Sequence, residues 1–200
     1  MSIEGSSENP TAQFTMNLLS LDVAMVNTGY CIYSVAPKSN YLFKMMEYGT
    51  INTDDSLFKD TDSKVRLMLS RLSDIIYRKN INCIVIEEPP QTIYGGNFMN
   101  RNQIIGRSVS VMKVCSACYG IIGFCFSSNI FCKTVTPNNW QKANKFSKAD
   151  SVKRANGVLS YLKFPSPKLT TKQNEHEADA INIGMHAIEM FSSGKWHHSN

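Results

Sequence analysis

The sequence predicts a mixed α/β domain: a five-stranded sheet whose first three strands run antiparallel, flanked by helices. Three observations predict it. Strand-length apolar runs follow one another closely between residues 16 and 52, which tight antiparallel connections explain best. The short, wholly apolar run Cys83–Ile86 sits between helix-patterned stretches, as a strand buried in mid-sheet does. Later segments alternate between helical and strand patterns, giving the order βββ-α-β-α-β-α-α, in which helical crossovers join the later strands.

Each element has its own justification. Met16 to Ala24 is an apolar run of strand length with Asp22 near its end. Asn27-Thr28-Gly29 is a turn signal, and Tyr30 to Val35 and Tyr41 to Asn52 read as the second and third strands. Between Ser56 and Lys79, Val65, Leu67, Met68, Leu69, Leu72, Ile75 and Ile76 fall at roughly helical spacing with charges between them. The strand Cys83–Ile86 ends in Glu87-Glu88-Pro89-Pro90, where proline forbids continuation. A Gly95-Gly96 loop leads to a long helix, Asn102 to Phe124, whose small residues (Gly106, Ser110, Ser116, Gly120) mark a packing or dimer helix. Ile130 to Val135 is the fifth strand. Thr136 to Trp140 turns into a helix, with Trp140 read as a core anchor, and helices follow at Ser147–Leu162 and Asn174–Phe191.

Composition narrows the class. The 200 residues fit one domain, and 42% hydrophobic with 18% charged residues excludes collagen-like, coiled-coil and disordered chains. Residues 1–15 read as a flexible leader, 16–194 as the domain and 195–200 as a tail. The leader lacks the features of a secretory or transit signal, and no uninterrupted apolar run approaches the ~18–20 residues of a membrane span. These features predict a soluble intracellular chain with no membrane partner. Six cysteines, four of them in apolar runs, read as reduced core thiols; Cys115-x-x-Cys118 lacks the second pair that a zinc site needs.

The net charge of +5 is unevenly placed. Between Lys133 and Lys172 there are nine bases and a single acid, Asp150, whereas the remaining residues hold 12 bases and 15 acids. A basic segment of this kind suits phosphate, and hence nucleic acid.

Three acids stand out because burying a carboxylate is costly. Asp22 ends the first strand, Glu87 ends the central one, and Asp179 lies in the last helix, deeper than the dipole-favoured Glu175 and Glu177. His176 and Asp179 are three residues apart and share a helix face. Carboxylates from distant segments, with or without a histidine, are the ligand set for divalent metal and two-metal phosphodiester hydrolysis.

In this order the motifs resemble the RuvC family of Holliday-junction resolvases, within the RNase H-like superfamily. Leu18–Ala24 followed by Asn27-Thr28-Gly29-Tyr30 is similar to the family's first-strand motif, and Cys83–Glu88 to the strand carrying its second acid. Gly95 to Gly120 resembles the loop and long helix that follow. Phe146–Val152 resembles its Lys/Arg-Ala-Asp/Ser segment, and His176-Glu177-Ala178-Asp179-Ala180 its terminal motif. The match runs from Met16 to Ile188, and the chain is similar in brevity to viral and phage members. Departures are Val23-Ala24 after the first acid, His176 where many members have Asp, and Pro89-Pro90 in place of an aromatic wedge, for which Tyr94 or Phe98 could substitute.

The resemblance implies an RNase H-like fold and a homodimer that nicks four-way DNA junctions symmetrically, leaving 5′-phosphate and 3′-hydroxyl ends. It implies two Mg²⁺ ions, replaceable by Mn²⁺, held by Asp22, Glu87, His176 and Asp179, with Glu175 or Glu177 as alternatives for the fourth ligand. Lys148 is implied as an aid to catalysis or a phosphate grip. Lys142, Lys145, Lys153, Arg154, Arg101 and Arg107 are its companions on DNA. Competing readings are another RNase H-like nuclease acting on RNA or RNA–DNA hybrid, and a catalytically inactive DNA-binding relative. A sugar-kinase-like ATPase is disfavoured by the chain's length and by Ala24 in place of glycine.

Overall fold

A computed structural model of the protein describes residues 16–36, 42–54, 56, 57, 59–88, 101–142, 148–171 and 174–195. The expected leader, Tyr94, Phe98 and Lys145 lie outside the described residues. The elements are β1 (Met16–Asp22), β2 (Asn27–Ala36), β3 (Leu42–Asn52), α1 (Thr61–Lys79), β4 (Cys83–Glu87), α2 (Arg101–Ser127), β5 (Phe131–Val135), α3 (Pro137–Lys142), α4 (Lys148–Tyr161) and α5 (Glu175–Ser192).

The five strands form one sheet in the order β3-β2-β1-β4-β5. The first three are antiparallel, and β4 and β5 join β1 in parallel. This is the expected mixed sheet. Its two faces explain why β1 and β4 read as near-continuous apolar runs. Leu18, Cys83 and Val85 face a core shared with α4 and α5, whereas Leu19, Leu21, Ile84 and Ile86 face one shared with α1 and α2. Trp140 is buried in the first of these cores, as expected.

Two of the differences from the sequence reading have a side-chain cause. Asn27-Thr28-Gly29 is not the turn but the start of β2, with Gly29 paired to Asp22. The Thr28 hydroxyl closes the preceding turn, donating to the Ala24 carbonyl (2.7 Å) and accepting from its N–H (3.2 Å). Helix α1 begins at Thr61 rather than Ser56, because Asp60 caps it by accepting from the Ser63 N–H at 2.8 Å.

Helix α2 holds no uninterrupted apolar run of membrane length, yet its average composition reaches that of one. Ser108–Ser127 is 20 residues of mean hydropathy 1.7, long and apolar enough by length and composition to cross a membrane, and only 22% of it is buried. Its serines, glycines and Lys113 interrupt the run to the eye without lowering the mean far. The Cys118 thiol, on the inner face of this helix, is pushed up to about 12 by burial, with Glu87 and Asp22 adding to the rise. A thiol so shifted is not a nucleophile at neutral pH.

Candidate active site at the ends of β1 and β4

Strand alternation decides which way the acids face. Asp22 shares parity with Leu18 and Ser20, on the α5 side of β1, and Glu87 shares parity with Cys83 and Val85 on the same side of β4. Because Leu21 pairs with Ile86 in the parallel register, Asp22 and Glu87 leave neighbouring strands at the same end of the sheet.

Three contacts seat α5 over that end. Ser20 Oγ donates to the Ala180 carbonyl (2.7 Å), and the Tyr33 hydroxyl donates to the Ile181 carbonyl (2.9 Å). Gly29 allows the closest approach: a Cβ there would lie 2.0 Å from the His176 carbonyl oxygen. Its backbone is not left-handed, so close approach is what requires the glycine.

The first turn and a half of α5 then sends three polar side chains in three directions. His176 Nδ1 lies 2.6 Å from Asp22 Oδ2. The Asp22 hydrogen bond raises the imidazole's pKa above its ordinary value, with Asp22, Glu175 and Asp179 adding charge attraction against a burial penalty. Asp179, 6% exposed, accepts at Oδ1 from the Ser151 hydroxyl at 2.5 Å. Asn182 Nδ2 in turn donates to Ser151 Oγ (2.7 Å) and to the Ser151 carbonyl (3.0 Å), so α4 holds the acid in place. Glu177 turns the other way and accepts from Thr50 Oγ1 on β3 at 2.6 Å.

The donor chemistry fits a hard divalent ion: carboxylate oxygens from Asp22, Glu87 and Asp179 and the imidazole of His176. They share one region without being closed into a cage. Among the described residues no three His, Cys, Asp or Glu side chains gather as metal ligands.

Of the expected DNA-binding residues, Lys148 opens α4 and Lys142 ends α3, while Arg101 and Arg107 lie in the start of α2. Their side chains lie outside the described residues. Lys153 is exposed. Arg154 is turned inward, with a side chain 16% exposed and Nη2 3.6 Å from Glu189 Oε1.

No protein-family model and no curated protein matches the sequence. Among solved structures, Thermus thermophilus RuvC in complex with a Holliday junction substrate is similar at 14% identity and TM-score 0.62, over 90% of this chain and 96% of that one. The yeast mitochondrial Holliday junction resolvase is similar at 16% identity and TM-score 0.58, over 92% and 82% of the two chains.

The chain has the RuvC fold.

A second Thermus thermophilus RuvC structure agrees, at 16% identity and TM-score 0.56 over 90% of this chain and 97% of that one. The RuvC fold thus recurs with little sequence identity. Sequence reasoning singled out Asp22, Glu87, His176 and Asp179, and the fold brings all four to one end of the sheet. It placed Asn182 on the face of His176 and Asp179 and Ser151 in the Phe146–Val152 motif without a role for either, and it missed Thr50 and the close approach at Gly29. Of the last two, Gly29 alone carried a signal, and that signal read as a turn.

Proposed function

We propose that the protein is a metal-dependent endodeoxyribonuclease that cuts four-way DNA junctions by paired nicks, acting as a homodimer in the processing of recombination, repair or replication intermediates. The observation that carries this reading is the contact between Asp22, at the end of β1, and His176 on α5, beside Glu87 and Asp179 in a RuvC fold. Two of the solved structures with this fold are described by their Holliday junction substrate or resolvase activity.

Asp22, Glu87, His176 and Asp179 are the residues that would hold Mg²⁺, or Mn²⁺ in its place, at two ions per site. Such ions supply charge neutralisation at the phosphate and a water acidified towards neutral pH. The chain's own residues do the remaining work. Ser151 and Asn182 orient Asp179, and Asp22 orients the His176 ring. Water oxygen bonds to phosphorus and the P–O3′ bond breaks, leaving a 5′-phosphate and a 3′-hydroxyl. Lys142, Lys145, Lys148 and Lys153, with Arg101 and Arg107, supply phosphate contacts that position rather than read the DNA. Arg154 is instead engaged by Glu189, with Nη2 3.6 Å from its Oε1.

The homodimer reading is supported by α2. Val109, Ser116 and Gly123 alternate with Met112, Tyr119 and Phe126 along one exposed stripe at heptad spacing. Small residues in one row and large ones in the other suit two such helices packed together.

The test is cleavage of a synthetic four-way junction beside linear duplex, flap and RNA–DNA hybrid, with Mg²⁺ or EDTA, by the native protein and Asp22→Asn. Paired nicks on the junction that require Mg²⁺ and Asp22 are expected. Junction cutting no faster than duplex or hybrid cutting overturns the proposal, as does full activity in Asp22→Asn.

A further inference from the structure

Beside the Asp22–His176 pair lies a second, polar cleft of ≈ 350 Å³, bounded by Asn27, Thr50, Asn52, Thr171, Glu175 and Glu177, with His176 forming the wall it shares with the candidate active site. Glu177 is the unusual member. It is 9% exposed, its Oε1 is engaged by Thr50, and its Oε2 is buried with no hydrogen-bond partner among the described residues. Leaving a charged acceptor buried and unmatched is costly. A carboxylate repels phosphate, and Glu177 turns to Thr50 on β3 whereas His176 turns to Asp22, so neither a phosphate nor an ion held beside Asp22 completes its second oxygen.

The chemistry of DNA narrows what can complete it. Phosphate and deoxyribose oxygens within a strand only accept hydrogen bonds. The donors that duplex DNA offers in the major groove are the amino groups of cytosine (N4) and adenine (N6), whereas guanine and thymine present carbonyl acceptors there. We infer that this cleft is a base-reading subsite that meets the major-groove edge, in which Glu177 Oε2 accepts from the amino group of a cytosine or adenine next to the cut; guanine's amino group lies on the opposite, minor-groove edge. This inference rests on the nuclease reading above and adds to it a source of sequence preference. Thr50 keeps Oε1 occupied, so the carboxylate presents a single, oriented acceptor to the base.

The orientation makes the test sharp. In Glu177→Gln the side-chain oxygen stays on the Thr50 hydroxyl, which leaves the amide NH₂ where Oε2 was. The site then offers a donor instead of an acceptor. Four-way junctions carrying each of the four bases beside the cut are scored by nick position, and the same panel is scored by equilibrium binding without metal. The native protein is expected to favour cytosine and adenine over guanine and thymine by about tenfold. Glu177→Gln is expected to reverse that order, and Thr50→Val, which frees the carboxylate to turn, to flatten it without reversal. An identical base distribution in the native protein and whichever of the two variants melts cooperatively overturns the subsite. So does a preference for a ribonucleotide at that position, which would assign Glu177 to a sugar hydroxyl. Binding that keeps the base preference without any cutting counts against the nuclease reading alone.

Discussion

Adding one methyl group at Gly29 tests the construction of the site most directly. A Cβ at this position would meet the His176 carbonyl oxygen at 2.0 Å, its carbon at 2.2 Å and the Glu177 nitrogen at 2.8 Å. All three are backbone atoms, so no change of rotamer relieves the clash. Ordinary contact begins near 3.4 Å, so in Gly29→Ala α5 must withdraw by about 1.4 Å. That displacement carries the 2.6 Å contact between His176 Nδ1 and Asp22 Oδ2 out of hydrogen-bond range. Overpacking of this kind costs about 1–3 kcal/mol, which for a chain of this size lowers Tm by roughly 2–12 °C. A catalytic group misplaced by ~1 Å loses about 100-fold in rate. The assay is a calorimetric melt with an NMR titration of the His176 ring, followed by junction cutting. The His176 pKa is expected to fall back towards its ordinary value as Asp22 is lost. A melt within ~1 °C of the native protein's, with an unchanged His176 titration, would refute the close seating of α5 on β2.

Three further outcomes follow from the same contacts. His176 has a folded pKa raised above its ordinary value of 6.5 by Asp22, so its contribution to stability is fully present below pH 6.5 and fades as pH rises through the raised value; urea midpoints of metal-free protein across pH 5–9 should show this loss, and Asp22→Asn should abolish it. Ser151→Ala removes the donor to Asp179 and the acceptor of Asn182 at a site 3% exposed, and should cost about 1–3 kcal/mol in denaturant unfolding; an unchanged midpoint would mean that water replaces the hydroxyl. Tyr119→Glu, at a position 65% exposed, should leave circular dichroism unchanged and convert a dimer to a monomer by light scattering; a native protein already monomeric would rule out the α2 interface.

What was legible in the sequence was what local pattern and burial cost can express. β1 and β4 were readable because both sheet faces are covered, so their runs contain little but apolar residues. Asp22, Glu87 and Asp179 stood out because each interrupts such a run. The α1 boundary was not readable from apolar spacing, since Asp60 stops the helix through a hydrogen bond to Ser63 that no periodicity encodes. The start of β2 was misread because Thr28 closes the turn with its side chain while its own backbone is already in the ladder. Ser151 and Thr50 were invisible as partners for a different reason. They lie 28 and 127 residues from the acids they hold, and nothing local distinguishes them from any other hydroxyl.

The acids at the start of α5 show how far helix geometry alone would have gone. Successive residues on an α-helix point about 100° apart, so His176 and Glu177 leave the helix in different directions. Their contacts differ accordingly: His176 points to Asp22 on β1, Glu177 to Thr50 on β3 and Asp179 to Ser151 on α4. A single helix therefore holds three separate elements, and its register is set from three sides at once. Withdrawal of α5 at Gly29 disturbs all three contacts, whereas Thr50→Val disturbs one. If the seating of α5 is what assembles the site, Gly29→Ala must perturb His176 and Asp179 together, while Thr50→Val leaves the His176 titration as it is in the native protein. If each polar pair is instead independently placed, the two variants will differ only in stability.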